Sequence, residues 1–192
     1  MQELKDRIVK EGKVLPGNII KVDGFLNHRI DTELMDHIAE EFGKHFNMDE
    51  VTMVLTAEAS GIALATAVAT YFHKPMIFAK KAKSDNIEGG LYQSDIYSYT
   101  YKKKVTLLVS KEWLSSDDKV LIIDDFMANG EAMRGLCDIV TAAGATLMGI
   151  GCAVEKGFQG GGDRLRAAGV NLKSLAIIES AEPGNIVFRD DD

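Results

Sequence analysis

The sequence predicts an α/β domain with a mainly parallel sheet flanked by helices. Short apolar stretches with strand character alternate along the chain with helical stretches, which is the pattern of repeated βαβ units. The run Val-Leu-Ile-Ile at 120–123 is apolar throughout, as expected of a strand buried on both faces. With 192 residues the chain has the length of one domain, and a chain of this size can bury roughly two-thirds of its unfolded surface.

The helices are predicted from the spacing of apolar side chains. Over residues 33–46 the apolar residues recur at intervals of three and four, and Asp31 and Thr32 precede them as candidate caps. The same spacing returns after residue 131, and the stretch from Ser60 to Phe72 is rich in alanine. The predicted helices cover residues 3–11, 33–46, 60–72, a stretch that begins near 131, and 163–168.

The strands are predicted from short runs of apolar and β-branched residues between the helices. They cover residues 51–56, 75–79, 105–109, 119–123, 147–154, 174–179 and 185–188. In a parallel sheet, ligands bind beyond the carboxyl ends of the strands. The residues that follow each strand are therefore the first candidates for a functional site.

The stretch 84–104 differs from the alternating pattern on either side of it. It is polar, contains Gly89 and Gly90, places tyrosines at 97, 99 and 101, and ends in three lysines. We predict an exposed excursion or a two-stranded arm over these residues.

Composition excludes several classes of protein. The 29 acidic side chains outnumber the 22 basic ones and give a net charge of -7, whereas a broad nucleic-acid surface needs an excess of Lys and Arg. No apolar run approaches the roughly 20 residues that span a bilayer, and the first residues carry charges where a signal peptide is apolar. Cys137 and Cys152 have apolar neighbours, which is typical of core thiols in a reducing compartment, and no Cys/His spacing indicates zinc. We therefore expect a cytoplasmic protein with neither a membrane nor a nucleic acid as its partner.

The segment 120–132 carries the most chemical information. Its apolar strand is followed by Asp124 and Asp125, which we expect at a strand end outside the core, and then by small residues that open a helix. Amide N–H groups at a helix start bind anions, and carboxylates just before them can accept hydrogen bonds from sugar hydroxyls. That combination suits a ribose 5-phosphate, although a solvated strand end with Asn129 as a helix cap fits the residues equally well. The segment lacks the Gly-Lys-Ser/Thr ending of a Walker A loop, and residues 149–151 do not continue into a dinucleotide fingerprint.

The motif Asp-Asp-Phe-Met-Ala-Asn-Gly-Glu-Ala at 124–132 resembles the phosphoribosyl diphosphate (PRPP) motif of type I phosphoribosyltransferases. This variant is similar to the one found in xanthine phosphoribosyltransferases, and the resemblance extends over essentially the whole chain. It implies the type I phosphoribosyltransferase fold, with a small hood from residues near 14–30 and the C-terminal tail, and a flexible lid over 84–104. It also implies an enzyme of purine salvage that transfers ribose 5-phosphate from PRPP to xanthine, with magnesium held mainly by PRPP oxygens and water.

The resemblance implies roles for residues on the PRPP side. Asp124 and Asp125 are the implied catalytic residues, which contact the ribose. The implied 5′-phosphate contacts are Ala128, Asn129, Gly130, Glu131 and Ala132. Ser60 and Gly61 belong to the implied pyrophosphate loop, which often holds a non-proline cis peptide in this family.

A group of lysines follows the strand predicted over 75–79. Lys80, Lys81 and Lys83 lie near the implied pyrophosphate, where positive charge can stabilise a leaving group. In related enzymes the basic residue at this place reaches into the site of the neighbouring subunit, so the resemblance implies a homodimer. Lys81 is the implied PRPP contact among these lysines, and which of them serves the neighbouring site stays open. Without the resemblance, an ordinary solvated cluster is the favoured interpretation.

Purine recognition is implied for residues outside the motif. Lys156 matches the family lysine that donates to the purine, and Asn27 and Ile20 match hood positions that touch the base. Phe158 could stack on the purine ring. Taken alone, Lys156 could equally be a surface lysine paired with Glu155, and Phe158 could be hood packing.

Ala128 departs from the pattern of the hypoxanthine-guanine enzymes. Those enzymes have an aspartate at this position, which is often assigned as the general base, so the base is left unassigned here. Glu131 is the nearest carboxylate in the loop, but helix geometry can point it outward. Two alternative functions stay open, namely a transferase that prefers guanine or hypoxanthine and a PRPP-sensing transcription regulator on the same fold. The second alternative needs a DNA-binding module, and no basic helix-turn-helix precedes the core.

Overall fold

The computed structural model describes residues 1–81, 90–98 and 103–189. Its helices are α1 (Gln2–Glu11), α2 (Thr32–Gly43), α3 (Gly61–Tyr71), α4 (Glu131–Ala142) and α5 (Gly161–Ala167). Its strands are β1 (Lys13–Leu15), β2 (Ile19–Lys21), β3 (Met53–Ala57), β4 (Met76–Ala79), β5 (Leu91–Ser98), β6 (Lys103–Ser110), β7 (Lys119–Met127), β8 (Thr146–Lys156), β9 (Leu172–Glu182) and β10 (Asn185–Phe188). Within these described ranges, no helix has the length and apolar character needed to cross a membrane.

The central sheet has the strand order β10-β9-β8-β7-β3-β4. Neighbouring strands are parallel, apart from β10, which runs antiparallel to β9 at one edge. The predicted α/β class with a mainly parallel sheet is confirmed. Since β3, β7 and β8 are parallel neighbours, the loops that follow them meet at one edge of the sheet, where a ligand is expected.

Two apolar cores lie on opposite faces of this sheet, and successive residues of β7 point into them alternately. Leu121 and Ile123 belong to the core that also contains the buried faces of α1, α2 and α3, whereas Val120 and Ile122 belong to the core beneath α4. This alternation explains why the run 120–123 is apolar throughout. Both layers of helices have a continuous apolar surface to pack against.

Strand β7 extends four residues beyond its predicted end. The prediction that Asp124 and Asp125 lie outside the core is wrong, because both lie within β7, with exposed fractions of 6% and 1%. The physical reason is the length of β8, which continues to pair with β7 as far as Met127 opposite Glu155. A pair of charged residues in the sequence indicates the end of a strand, but a long neighbouring strand can prolong the ladder past them.

The predicted two-stranded arm is confirmed where the structure describes it. Strands β5 and β6 form an antiparallel hairpin in which Leu91 pairs with Ser110 and Ser98 with Lys103. Of the predicted lid, residues 84–89 and 99–102 lie outside the described part of the chain. The inner face of β5 packs closely on α4, because a side chain on Gly135 would meet Cγ2 of Ile96 at 2.5 Å.

The region of the predicted hood contains two elements that the sequence patterns did not indicate. Strands β1 and β2 form a short antiparallel hairpin, and Asp23–Asn27 form a turn of π-helix. Phe25 and Leu26 anchor this turn in the core, which leaves Asn27 half-buried at its end. Three-residue strands and a single helical turn are too short to produce a recognisable apolar period.

Candidate active site

A cavity of about 490 Å³ opens at the edge of the sheet where β7 and β8 end. Its wall includes most of the residues singled out from the sequence; Gly61, Phe158 and Lys80 do not line it. The candidates come from the hood region, the loop after β3, the end of β4, the stretch around 124–132 and the end of β8. The structure therefore brings residues from five separate stretches of chain to one cavity.

The loop between β7 and α4, residues 128–130, provides a cradle of backbone groups. Gly130 precedes the first residue of α4 and has a φ of 78°, in the left-handed region that favours glycine. The first N–H groups of a helix have no acceptor within the helix, and the helix dipole favours an anion at that end. Residues 128–132 line the cavity, so this helix start faces the space in which a ligand would lie.

The two carboxylates before this loop have different surroundings. Oδ2 of Asp125 accepts a hydrogen bond from Nδ2 of Asn27 at 2.7 Å, which joins β7 to the π-helical turn. Oδ1 of Asp124 accepts the backbone N–H of Asp125 at 3.0 Å. Burial raises the pKa of Asp124 well above its usual range, and the charge of Asp125 raises it further.

The loop between β3 and α3 packs directly against Asp124. A side chain on Gly61 would collide with Oδ1 of Asp124 and with Oγ1 of Thr56, so only glycine fits there. The expected non-proline cis peptide is present in this loop, between Glu58 and Ala59. Ser60 follows it and lines the cavity.

Lys81 lies directly after β4 and is tied to the loop that follows β3. Its backbone N–H donates to Oε1 of Glu58 at 2.5 Å, and Lys81 also lines the cavity. Lys80, in contrast, pairs with Leu108 of the hairpin in an isolated bridge. Lys83 falls outside the described residues.

Lys156, the last residue of β8, also lines the cavity. Its Nζ donates to the backbone oxygen of Asn18 at 3.0 Å and lies 5.4 Å from the centre of the Phe126 ring. Burial lowers the pKa of this ammonium group. Ile20 contributes apolar surface from β2. The cavity wall therefore combines the aromatic ring of Phe126 beside Lys156 with a further hydrogen-bond donor, Asn27.

The site was compared with known proteins. The family model described as "Phosphoribosyl transferase domain" matches residues 25–168, which include both carboxylates and the loop before α4. The chain belongs to the phosphoribosyltransferase family.

Relatives at high identity cover the whole length of this phosphoribosyltransferase. A protein named xanthine phosphoribosyltransferase from Bifidobacterium animalis subsp. lactis is 53% identical over 98% of this chain and 100% of its own length. A protein of the same name from Lachnoclostridium phytofermentans is also 53% identical, over 100% of both chains.

Solved structures show the same fold at low sequence identity. An adenine phosphoribosyltransferase from Rhodothermus marinus has a TM-score of 0.74 at 19% identity and covers 93% of this chain and 100% of its own. An adenine phosphoribosyl transferase from Trypanosoma brucei, solved with AMP, pyrophosphate and ribose-5-phosphate, has a TM-score of 0.73 at 21% identity. It covers 91% of this chain and 78% of its own.

Phe158 does not reach the cavity of this phosphoribosyltransferase, although the sequence suggested that it could stack on a purine. It is half-buried and packs against the apolar core on the α1–α3 face. Phe126 is an aromatic residue on the cavity wall that sequence reasoning missed. Its position inside the motif was a usable signal. Phe126 is a large apolar residue directly after two carboxylates, and such a side chain needs an apolar surface to pack against.

Glu131 faces the hairpin arm and is engaged in an ion pair. Its Oε2 accepts from Nη2 of Arg134 at 3.2 Å and from the backbone N–H of Tyr97 at 3.4 Å. The hydrogen bond from Arg134 lowers the pKa of Glu131. A carboxylate that is already ionised and paired is a weak candidate for a general base.

The hairpin arm brings two further residues to the cavity wall. Ile96 is buried against α4, while Tyr97 is 42% exposed and lines the cavity beside Glu131. Arg134 strengthens this contact, because its Nη2 donates to the backbone oxygen of Asp95 at 2.8 Å. The arm is therefore fixed to the same helix whose start forms the cradle.

Proposed function

We propose that this phosphoribosyltransferase transfers ribose 5-phosphate from PRPP to xanthine, giving xanthosine 5′-monophosphate and pyrophosphate. The observation that carries the choice of purine is the hydrogen bond from Asn27 to Asp125. An ionised carboxylate can only accept hydrogen bonds, so it pairs with the NH₂ group of the Asn27 amide. The second N–H of that group remains available to a ligand. Xanthine has carbonyl groups at positions 2 and 6, and a site for it needs a donor at each. Asn27 and Lys156 supply two donors on the wall of this cavity, and the names of the relatives agree with this choice.

Other residues of the cavity wall suit PRPP. The start of α4 offers amide N–H groups to the 5′-phosphate, and the carboxylates of Asp124 and Asp125 accept hydrogen bonds from the ribose hydroxyls. Ser60 and the loop around it receive the pyrophosphate, with Lys81 close enough to stabilise the charge that develops on it. In this arrangement the carbon C1′ lies between the purine end and the pyrophosphate end.

The donor set also fits the magnesium ion that accompanies PRPP. Mg²⁺ prefers carboxylate, phosphate and water oxygens and usually keeps several water molecules, and Asp124 and Asp125 provide carboxylates at the cavity wall. The described residues contain no group of three or more His, Cys, Asp or Glu side chains that could hold a metal ion. In this proposal the ion would be held mainly by PRPP oxygens and water, where it would neutralise negative charge on the diphosphate.

The reaction depends mostly on positioning. The bond from C1′ to a diphosphate oxygen breaks, and pyrophosphate leaves with the electron pair. A purine nitrogen that has given its proton to solvent water bonds to C1′. The transition state has the character of an oxocarbenium ion, which water would trap, so a cover over the site serves the chemistry. We assign that cover to the stretch 84–104, whose described part rests on α4.

Three further properties belong to the same proposal. The active unit is a homodimer, and the enzyme works in the cytoplasm in purine salvage. The single domain includes a hood formed by residues near 14–30 and the C-terminal tail. Exposed apolar side chains such as Trp113, which is 61% exposed, and Tyr71 leave surface available for a second copy.

The test is an assay of pyrophosphate release with Mg-PRPP and a panel of xanthine, guanine, hypoxanthine and adenine. We expect the highest kcat/KM for xanthine. A higher kcat/KM for guanine or hypoxanthine would replace xanthine as the proposed substrate. The residues assigned to PRPP would stay the same. PRPP binding without turnover of any purine would instead favour a non-catalytic sensor on this fold.

A further inference from the structure

Helix α5 packs against the loop between β7 and α4, and none of its residues lines the cavity. Gly161, its first residue, packs flat against that loop, because a Cβ on Gly161 would lie 2.6 Å from both the carbonyl carbon of Asn129 and the nitrogen of Gly130. It would also collide with the carbonyl oxygen of Ala128. The peptide between Asn129 and Gly130 therefore rests directly on the backbone of α5.

Arg164 holds one edge of the same peptide. Its Nη2 donates to the carbonyl oxygen of Asn129 at 3.0 Å. In a trans peptide the C=O and the N–H point in opposite directions. A carbonyl held on the α5 side therefore directs the N–H of Gly130 away from α5, and Gly130 lines the cavity.

A buried ion pair holds α5 itself in place. Nη2 and Nη1 of Arg166 donate to the two carboxylate oxygens of Glu155 at 2.7 and 3.1 Å, and Glu155 is completely buried in β8. Ser174 of β9 donates to the same carboxylate, and a side chain on Gly162 would collide with it. Glu155 directly precedes Lys156, so one network holds both α5 and the strand end at the purine side of the cavity.

We propose that Gly161 and Arg164 are positioning residues for the 5′-phosphate of PRPP. They act through the Asn129–Gly130 peptide, whose N–H they aim into the cavity, and they do not touch the substrate themselves. The inference rests on the proposed function in one respect, namely that the 5′-phosphate binds at the start of α4. It adds a third glycine-rich segment, residues 160–162, to the two loops identified from the sequence.

The experiment measures binding of two fragments of PRPP to the full-length chain by calorimetry. Ribose 5-phosphate probes the loop before α4, and pyrophosphate probes the loop after β3. The variants are Arg164→Met, which removes the donor, Arg164→Lys, which keeps one, and Gly161→Ala, which changes no charge. Lys10→Ala on α1 is the control, because it also removes one positive charge from an exposed position.

For Arg164→Met and Gly161→Ala we expect affinity for ribose 5-phosphate to fall about tenfold, the usual size of one lost hydrogen bond. Affinity for pyrophosphate should stay within about twofold, Arg164→Lys should recover most of the loss, and Lys10→Ala should bind like the native chain. Gly161→Ala disturbs tight backbone packing, so Arg164→Met, at an exposed side chain, keeps the proposal testable if the glycine variant does not fold.

Two results would overturn the proposal. Unchanged affinity of Arg164→Met for ribose 5-phosphate would remove Arg164 from the site, and equal losses for both fragments would indicate general damage or simple charge attraction. A native chain that binds pyrophosphate but not ribose 5-phosphate would contradict the proposed function itself, because the assignment of the loop before α4 would then be wrong. The two failures are therefore distinguishable.

Discussion

Asn27 and Asp125 lie 98 residues apart in the chain, and their side chains meet at 2.7 Å between Nδ2 and Oδ2. One belongs to a π-helical turn near the start of the chain and the other to the central strand β7. The contact links a residue proposed to touch the purine with a residue proposed to touch the ribose. It also sets the orientation of the amide, since the carboxylate accepts only N–H.

The first prediction concerns purine specificity. Asn27→Ala should lower kcat/KM for xanthine more than for hypoxanthine, by a further 10- to 100-fold or so, because hypoxanthine has only hydrogen at position 2. Lys156→Met should lower kcat/KM for xanthine, guanine and hypoxanthine alike, because all three carry the carbonyl at position 6. Asn185→Ala on β10, at an exposed asparagine, is the matched control and should leave the ratios unchanged. Equal losses for xanthine and hypoxanthine in Asn27→Ala would limit Asn27 to shaping the hood.

The second prediction concerns the cradle before α4. Gly130→Val should weaken PRPP binding, because a β-branched residue is strained at a φ of 78° and crowds the backbone that binds the phosphate. Gly184→Val is a close control, since Gly184 has a φ of 81° and no atoms within 4 Å of an added Cβ. Both variants should lose about 1–2 kcal/mol of stability, but only Gly130→Val should lose affinity for PRPP. Calorimetric titration would reject the cradle if the two variants bound PRPP equally well.

The third prediction concerns Asp124 and pH. Its pKa is raised in the folded state, mainly by burial, so the folded chain holds this proton more tightly than the unfolded chain. The free energy of unfolding that this tighter proton binding adds is fully present at pH values below the pKa of Asp124 in the unfolded chain. It is lost as pH rises through the pKa of Asp124 in the folded chain. Asp124→Asn should therefore raise Tm relative to the native chain at pH 8 more than at pH 5, while kcat falls. Asp117→Asn, at an exposed carboxylate, should show no such pH-dependent gain; a similar gain in both variants would mean that Asp124 is not the source.

The fourth prediction concerns Glu131. Loss of a general base typically costs 10²- to 10⁴-fold or so in rate. Glu131→Gln should cost less than about tenfold, because Gln can still accept from Arg134 and from the N–H of Tyr97. Glu131→Ala should cost more, since it also removes one of the contacts that hold the hairpin arm on α4. A loss of the acidic limb of the pH–rate profile in Glu131→Gln would instead identify Glu131 as the base.

Much of the fold was predictable because its signals are local. The helix over Thr32–Gly43 and the strand around residues 120–123 follow from apolar periods of 3.6 residues or from continuous apolar runs, and both are confirmed. The motif at 124–132 is also local, so a single stretch of sequence indicated the family. Short elements could not be predicted in this way. The π-helical turn Asp23–Asn27, for example, contains too few residues to show an apolar period.

The sequence by itself determined the α/β class, the family and the motif that opens α4, since each depends on residues that are near neighbours in the chain. Only the tertiary structure decided that Asp124 is buried, that Phe126 and not Phe158 reaches the cavity, and that α5 packs against the loop before α4. Each of these facts depends on pairing between strands or on packing between distant segments, as in the hydrogen bond from Arg164 to Asn129 across 35 residues. Such contacts arise from the register of β7 against β8 and from the burial of Glu155, which no local pattern of residues encodes.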